Sequence, residues 1–288
     1  MGGVANGLFA HYGLDVEILE PAPGPANVAR VASGGSEFCL TSVSHFLKAQ
    51  RQAVQPARFV GIVVQRSPMA GMVAADGDIV DRARLSGARL GGPSDGELTA
   101  QYQAALAHWG YPRAPLVELP YGDAPGALGR GEIEVVTDYI DLLPRTRRQA
   151  GIPLRAIPVG PDAYSSGLVA GDSLSPDLIV TMRAAVAAAL ERQRSDPEWG
   201  VAALCDRYPE ADPADAREGW ALTEPNIFTG VPVTTMDRGT WDFTLAHLSA
   251  AYGKPSPAPE QVYREELLAT RGDHGDAVGT PDSIPTGA

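Results

Sequence analysis

The clearest group of side chains that could bind a ligand follows a short apolar run. Residues 38–40 predict a strand, and Thr41 and Ser42 follow it as a polar turn. Ser44 and His45 then fall in the first turn of a predicted helix. Hydroxyl groups at the carboxyl end of a strand, beside free helix-start amides, are where open α/β sheets bind small molecules. A carboxylate, sulfonate or phosphate would meet unpaired N–H groups there. The alternative is that Ser42 or Ser44 only caps the helix.

Similar groups of polar residues follow several other predicted strands. Because such strand ends share one edge of an α/β sheet, we expect the groups to converge on one small-molecule ligand. The first half of the chain contributes Pro23-Gly24-Pro25, then Thr41, Ser42 and Ser44, then Gln65, Arg66 and Ser67. The second half contributes Ser94, Asp95 and Glu97, then Tyr121, Gly122 and Asp123, then Thr137, Asp138 and Tyr139.

Individual residues in these groups allow more specific hypotheses, each with an alternative. Arg66 is the natural bidentate counter-ion for an acidic ligand, or else a surface arginine. His45 could hydrogen-bond a ligand or act as a base, or else be a partly exposed polar residue. Asp138 and Tyr139 could recognise an amine or stack on a ring, although Tyr139 could equally pack on the protein surface. Trp220 could line the cleft or belong to the core.

The pattern along the chain alternates strands and helices before it turns helical. Residues 14–19 alternate apolar and acidic side chains, as a half-buried strand does, and residues 58–65 are typical of a buried parallel strand. Ser175-Pro176-Asp177 combines a capping hydroxyl, a proline in the first turn and an acid, which predicts a helix start. Helices are expected over most of residues 196–252.

Composition excludes several classes of function. A net charge of −12 argues against a nucleic-acid partner and gives no support for docking on anionic lipid. Cys39 and Cys205 form no CxxC motif, and no histidine pair has ligand spacing, so we predict no metal site and no cofactor. No apolar run reaches the roughly 18 residues that span a bilayer, so no integral membrane segment is expected.

Several segments resemble one known family. The segment 7–18, Gly-Leu-Phe-Ala-His-Tyr-Gly-Leu-Asp-Val-Glu-Ile, resembles the "GlF…eGLdVe" opening of the NMT1/THI5-like solute-binding proteins. Residues 31–38 are similar to that family's "l.sGeaDf", 78–91 to its "i.s..dLkGkrvg", and 129–134 to its "l.sGevDA". Residues 164–170 are similar to the strand that returns to the first lobe. The family comprises type II periplasmic binding proteins, including binders of alkanesulfonates, nitrate, taurine and thiamine pyrimidine precursors.

The resemblance implies an α/β, two-lobe periplasmic-binding-protein type II fold. Each lobe is expected to be a mostly parallel sheet flanked by helices, followed by a helical C-terminal segment. Residues 1–75 with 166–270 would form the first lobe, 76–165 the second, and 271–288 a disordered tail. The implied function is that of an ABC importer's solute-binding protein. It would close by a hinge on a small polar organic ligand such as a sulfonate, nitrate or a pyrimidine. Its partner, if it is exported, would be an ABC permease.

The sequence departs from the family pattern in ways that leave a second function open. The family's first strand would precede Val4, and the family implies an extracytoplasmic or lipid-anchored location, but the first residues do not read as a signal peptide. The alternative is therefore a cytoplasmic enzyme on the same scaffold, similar to a desulfinase or to the thiamine pyrimidine synthase. A desulfinase would need a reactive cysteine in the loop after that first strand, whereas Cys39 lies within a predicted strand. The synthase's cysteine-rich motif has no match here. We therefore expect no catalytic residue.

Overall fold

The computed structural model describes residues 1–22, 24–52 and 56–269, which form an α/β fold with helices around two sheets. The first elements are α1 (Gly2–Ala5), α2 (Leu8–His11), α3 (Ala26–Ala32), β1 (Phe38–Ser42), α4 (Val43–Gln52) and β2 (Ala57–Val64). There follow β3 (Met69–Ala74), α5 (Arg82–Gly87), β4 (Leu90–Gly92), α6 (Glu97–His108), β5 (Leu116–Glu118), α7 (Ala124–Gly129), β6 (Val135–Tyr139), α8 (Leu143–Ala150) and β7 (Leu154–Pro158). The last are β8 (Ser166–Gly171), α9 (Pro176–Ser195), α10 (Pro197–Arg207), α11 (Pro213–Ile227) and α12 (Arg238–Tyr252). Short 3-10 turns cover Tyr121–Asp123, Ile140–Leu142, Pro259–Gln261 and Glu265–Leu267.

The first sheet has three strands in the order β1-β8-β2, and β8 runs antiparallel to both neighbours. Its core is rich in aromatic rings. Trp241 of α12 stacks on Tyr263 at 5.0 Å between ring centroids and also contacts Phe59 of β2 at 5.2 Å. All three side chains are fully buried, so this sheet and α12 form one packed unit, which we call the first half.

The second sheet has five strands in the order β5-β4-β6-β3-β7. Strand β4 pairs in parallel with β5 and β6, whereas β3 pairs antiparallel with β6 and β7. Helix α6 packs on this sheet through the buried side chains of Tyr102 and Leu106, and we call this unit the second half. The α/β class is confirmed. The expectation of mostly parallel sheets needs correction, because β8 and β3, the strands that each follow a crossing between the sheets, run against their neighbours.

The position of β3 also corrects the expected boundary between lobes. The sequence placed residues up to 75 in the first lobe, but residues 69–74 pair within the second sheet. The chain therefore crosses between the sheets at residues 65–68 and returns at 159–165. Strand β3 is buried almost throughout, like β2 before it, so no change of composition marks the crossing.

Three local predictions also differ from the structure. Residues 14–19 form no strand, and Leu14 and Val16 instead pack on an apolar cluster formed by β2, β8 and α9. Thr41 and Ser42 are the last residues of β1 rather than a turn. Residues 137–139 likewise end β6 rather than follow it. Both strands extend through these polar residues because their backbones pair with the neighbouring strands β8 and β3.

The helical C-terminal segment is confirmed. The hydroxyl of Ser175 accepts from the backbone N–H of Leu178 at 3.3 Å, which caps α9 as predicted. Helix α11 reaches the second half, where Glu218 forms a two-pronged ion pair with Arg147 of α8. The predicted disordered tail, 271–288, lies outside the described residues. In the described part of the chain, no helix is both long and apolar enough to cross a membrane.

Candidate functional site

A small cavity lies where the two halves meet. Its volume is about 20 Å³, which has room for roughly one water molecule. The first half and the returning crossing contribute Val43, Ser44, Pro161, Ala163, Tyr164, Ser165, His247 and Leu248, and the second half and the outgoing crossing contribute Ser67, Met69, Gln101 and Tyr139. Residues distant in sequence therefore line one space between the two halves.

The two serines at the start of α4 have different roles. The hydroxyl of Ser42 accepts from the backbone N–H of His45 at 3.2 Å. Ser42 therefore caps the helix, which was the alternative to a ligand-binding role. The hydroxyl of Ser44 lies 3.0 Å from that of Ser42 and lines the cavity, and only 5% of the Ser44 residue is exposed. Ser44 is thus the residue of this group that lines the cavity.

Hydrogen bonds across the cavity join the halves. Ser44 bonds the hydroxyl of Tyr139 at the end of β6. The side-chain amide of Gln101 in α6 donates to the hydroxyl of Tyr252 in α12 at 2.8 Å. Burial raises the pKa of Tyr139 to about 12, helped by the carboxylate of Glu97, so its hydroxyl stays protonated at neutral pH. Tyr139 therefore keeps a proton that it can donate, whereas the amide of Gln101 already donates to Tyr252 and Glu97.

Asp138 lies beside this site rather than in it. Neighbouring residues of a strand point to opposite faces, so Asp138 faces away from the cavity that Tyr139 lines. Its carboxylate accepts from the backbone N–H of Tyr139 at 2.8 Å and from the hydroxyl of Tyr121. Burial raises the pKa of the Asp138 carboxyl, partly offset by these hydrogen bonds. Asp138 therefore fixes the end of β6 from behind.

Other predicted site residues lie outside the cavity lining and have partners of their own. Gln65 is buried and donates to the carbonyls of Ile62 and Thr235 at 2.9 and 3.1 Å. Arg66 forms a 3.0 Å ion pair with Asp162 on the returning crossing.

The remaining predicted residues are also absent from the lining. Ser94 is exposed and donates to Glu118 at 2.9 Å. Asp95 and Asp123 are exposed. Thr41 and Thr137 are buried within β1 and β6. Their roles in ligand binding, and those of Gln65, Arg66 and His45, stay predictions.

The structure adds residues that no strand-end pattern could find. Gln101, His247 and Tyr252 come from the interiors or ends of long helices, where they lie beside apolar residues that pack in the core. Burial, with a contribution from neighbouring His108, lowers the pKa of His247 to about 4. Its imidazole is therefore neutral at pH 7.

The two crossings between the sheets are bound to each other. The backbone N–H groups of Val159 and Gly160 both donate to the carbonyl of Met69, at 2.9 and 3.0 Å. Gly160 packs so closely on the backbone of Ser67 that any side chain there would collide with it. The two connections between the halves are therefore packed closely against each other.

The cysteines are both free thiols. Burial raises the pKa of Cys39 to about 12, so its thiolate is scarcely populated at neutral pH. Among the described residues, no three His, Cys, Asp or Glu side chains are grouped so that they could hold a metal ion.

Comparison with known proteins identifies the family. The model of the NMT1/THI5-like family matches residues 3–199, which is more than half of the chain. The fold, with its two sheets and surrounding helices, is similar to that of periplasmic binding proteins. The chain belongs to the NMT1/THI5-like family. No curated protein sequence matched it.

Several solved structures share the fold. The periplasmic aliphatic sulphonate binding protein SsuA from Escherichia coli is 14% identical, with a TM-score of 0.69 over 92% of this chain and 95% of its own. The alkanesulfonate-binding protein SsuA from Xanthomonas axonopodis pv. citri, bound to MOPS, is 12% identical, with a TM-score of 0.61 over 93% and 94%. The ligand binding component of an ABC-type import system from Staphylococcus aureus, with zinc bound, is 13% identical, with a TM-score of 0.63 over 93% and 94%. At these identities the likeness shows the fold alone.

Proposed function

We propose that this protein is the solute-binding component of an ABC importer and binds a small polar organic ligand between its two halves. One observation carries the proposal. Polar side chains from both halves, Ser44 on one side and Gln101 and Tyr139 on the other, line a single cavity. Family membership and the import proteins that share the fold support the same function.

Binding in this account requires the halves to open first. A cavity of about 20 Å³ has room for roughly one water molecule, so in this account the structure stands for a closed form. The bonds from Ser44 to Tyr139 and from Gln101 to Tyr252 hold it closed. A ligand would insert between the halves and replace these bonds with bonds to itself. Because it contacts both halves, it favours a closed, ligand-bound form that a permease can recognise.

A ligand screen tests the proposal. Thermal unfolding would be followed with sulfonates, nitrate, pyrimidines and aromatic acids and their amides, since a ligand that binds only the folded state raises the midpoint. Any hit would be repeated with Ser44→Ala, which removes a cavity hydroxyl, and with Ser173→Ala as the matched control on the exposed surface. We expect Ser44→Ala to weaken binding by about tenfold and Ser173→Ala to leave it unchanged. Equal effects of the two substitutions would place the ligand elsewhere.

A further inference from the structure

The side chains around the cavity are uncharged at neutral pH. The polar ones among the described residues are three serine hydroxyls, the amide of Gln101, two tyrosine hydroxyls and the imidazole of His247. The imidazole is neutral because its pKa is lowered to about 4, and Tyr139 keeps its proton because its pKa is raised to about 12. All of these groups can form hydrogen bonds, and none supplies a counter-ion.

The ionised groups that act on Tyr139 in this lining are carboxylates. Glu97 lies at the start of α6, with a carboxylate oxygen 3.5 Å from the amide nitrogen of Gln101. The charges of Glu97, Asp138 and Asp141 all act on the hydroxyl of Tyr139 and disfavour its ionisation. An anion that entered the cavity would meet the same repulsion.

Three groups that could offset this repulsion already have partners: the guanidinium of Arg66 and two backbone amides at the start of α4. Arg66 is paired with Asp162, and 45% of its side chain is exposed to solvent. At the start of α4, the N–H of Val43 donates to the carbonyl of Ser165 at 2.8 Å, and that of His45 donates to Ser42. The helix-start amides on which an anion site would depend are therefore partly used.

We infer that the cleft selects an uncharged polar ligand and rejects anions of the same shape, an inference that rests on the proposed function. A buried anion without a counter-ion loses its hydration and gains no compensating charge. An uncharged ligand needs only hydrogen bonds, which the serines, Gln101 and Tyr139 provide. Chemical selection here would come from the absence of ionic contacts as much as from shape.

Matched pairs of probes that differ in charge and little in shape test this inference. Benzamide would be compared with benzoate, and methanesulfonamide with methanesulfonate, by calorimetry and thermal shift at constant ionic strength. We expect the amide of at least one pair to bind at least about tenfold more tightly than its anion.

Two substitutions change the charge at the cavity while keeping side chains of similar length. Gln101→Lys adds a cation to the lining and keeps a donor for Tyr252, so it should tighten binding of the anions by about tenfold and weaken the preference for amides. Glu97→Gln removes a nearby carboxylate and should tighten anion binding by a smaller factor. Unfolding midpoints without ligand would show that both variants fold.

The outcomes separate the inference from the proposed function. If an anion binds the unaltered protein as tightly as its amide, or if Gln101→Lys leaves anion binding unchanged in a folded protein, the inference is wrong and the proposed function stands. If no compound in either screen binds, the proposed function is contradicted and the inference with it.

Discussion

The side-chain amide of Gln101 donates a 2.8 Å hydrogen bond to the hydroxyl of Tyr252, and this contact joins the two halves of the protein. Gln101 lies in α6, which packs on the second sheet, and Tyr252 ends α12, which packs on the first. Residues 151 positions apart thus meet beside the cavity. Burial raises the pKa of Tyr252, so its hydroxyl is protonated and can bond both Gln101 and Ser44.

A double-mutant cycle measures the Gln101–Tyr252 contact. Tyr252→Phe removes the hydroxyl, and Gln101→Leu removes the amide at similar volume. Each substitution should lower the free energy of unfolding by about 1 kcal/mol, and the pair should show a coupling of about 0.5–1.5 kcal/mol in urea titrations. Strictly additive losses would show that the two side chains do not interact.

The pKa of His247 predicts a pH dependence of stability. Its folded-state pKa of about 4 lies below the unfolded value near 6.5, so the unfolded chain binds more protons between these values. Stability should therefore fall as the pH is lowered from about 6.5 to 4. His108 of α6 faces His247 with ring centroids 6.2 Å apart and contributes to lowering the pKa of His247.

His247→Gln should reduce this pH dependence. Urea unfolding of the variant and of the unaltered protein between pH 4 and 8 would give the difference in stability, which should shrink or reverse towards the acidic end. A difference that stays constant across this range would mean that His247 keeps an ordinary pKa in the folded protein.

Gly160 predicts a structural requirement at the crossings. Gly160→Ala would press a methyl group against the backbone of Ser67 and force the two crossing segments apart. We expect a loss of about 1–3 kcal/mol in the free energy of unfolding. Gly87→Ala is the matched control, because a methyl group at Gly87 meets open space. Equal midpoints for the two variants would contradict the close packing of the crossings.

Replacing Arg66 distinguishes the site seen in the structure from the counter-ion role that the sequence suggested. If Arg66 were the counter-ion of an anionic ligand, Arg66→Ala would weaken binding of that ligand by at least about 1.5 kcal/mol. The structure instead pairs Arg66 with Asp162 outside the cavity lining. The affinity of any cleft ligand should therefore change by less than about twofold in Arg66→Ala. A tenfold loss of affinity measured by calorimetry would show that Arg66 takes part in ligand binding.

The sequence predicted the elements better than the site. The start of α9 at Ser175-Pro176 and that of α4 at Val43 followed from local patterns, because capping and apolar periodicity act within a few residues. The placement of β3 did not follow, since pairing partners for a buried strand are decided by tertiary contacts. Gln101 and His247 carry no local signal, because only helix packing brings them to the cavity.

Ligand-driven closure is the central claim, and a distance between the halves measures it most directly. Spin labels at Lys48→Cys in α4 and Asp95→Cys before α6 occupy exposed positions on opposite halves. Cys205→Ser would remove one native thiol, and the high pKa of Cys39 should keep the other from reacting. Pulsed electron resonance should give a distribution that contains both closed and open distances without ligand, and a single narrow distance when a cleft ligand is saturating. An identical distribution with and without bound ligand would contradict the account.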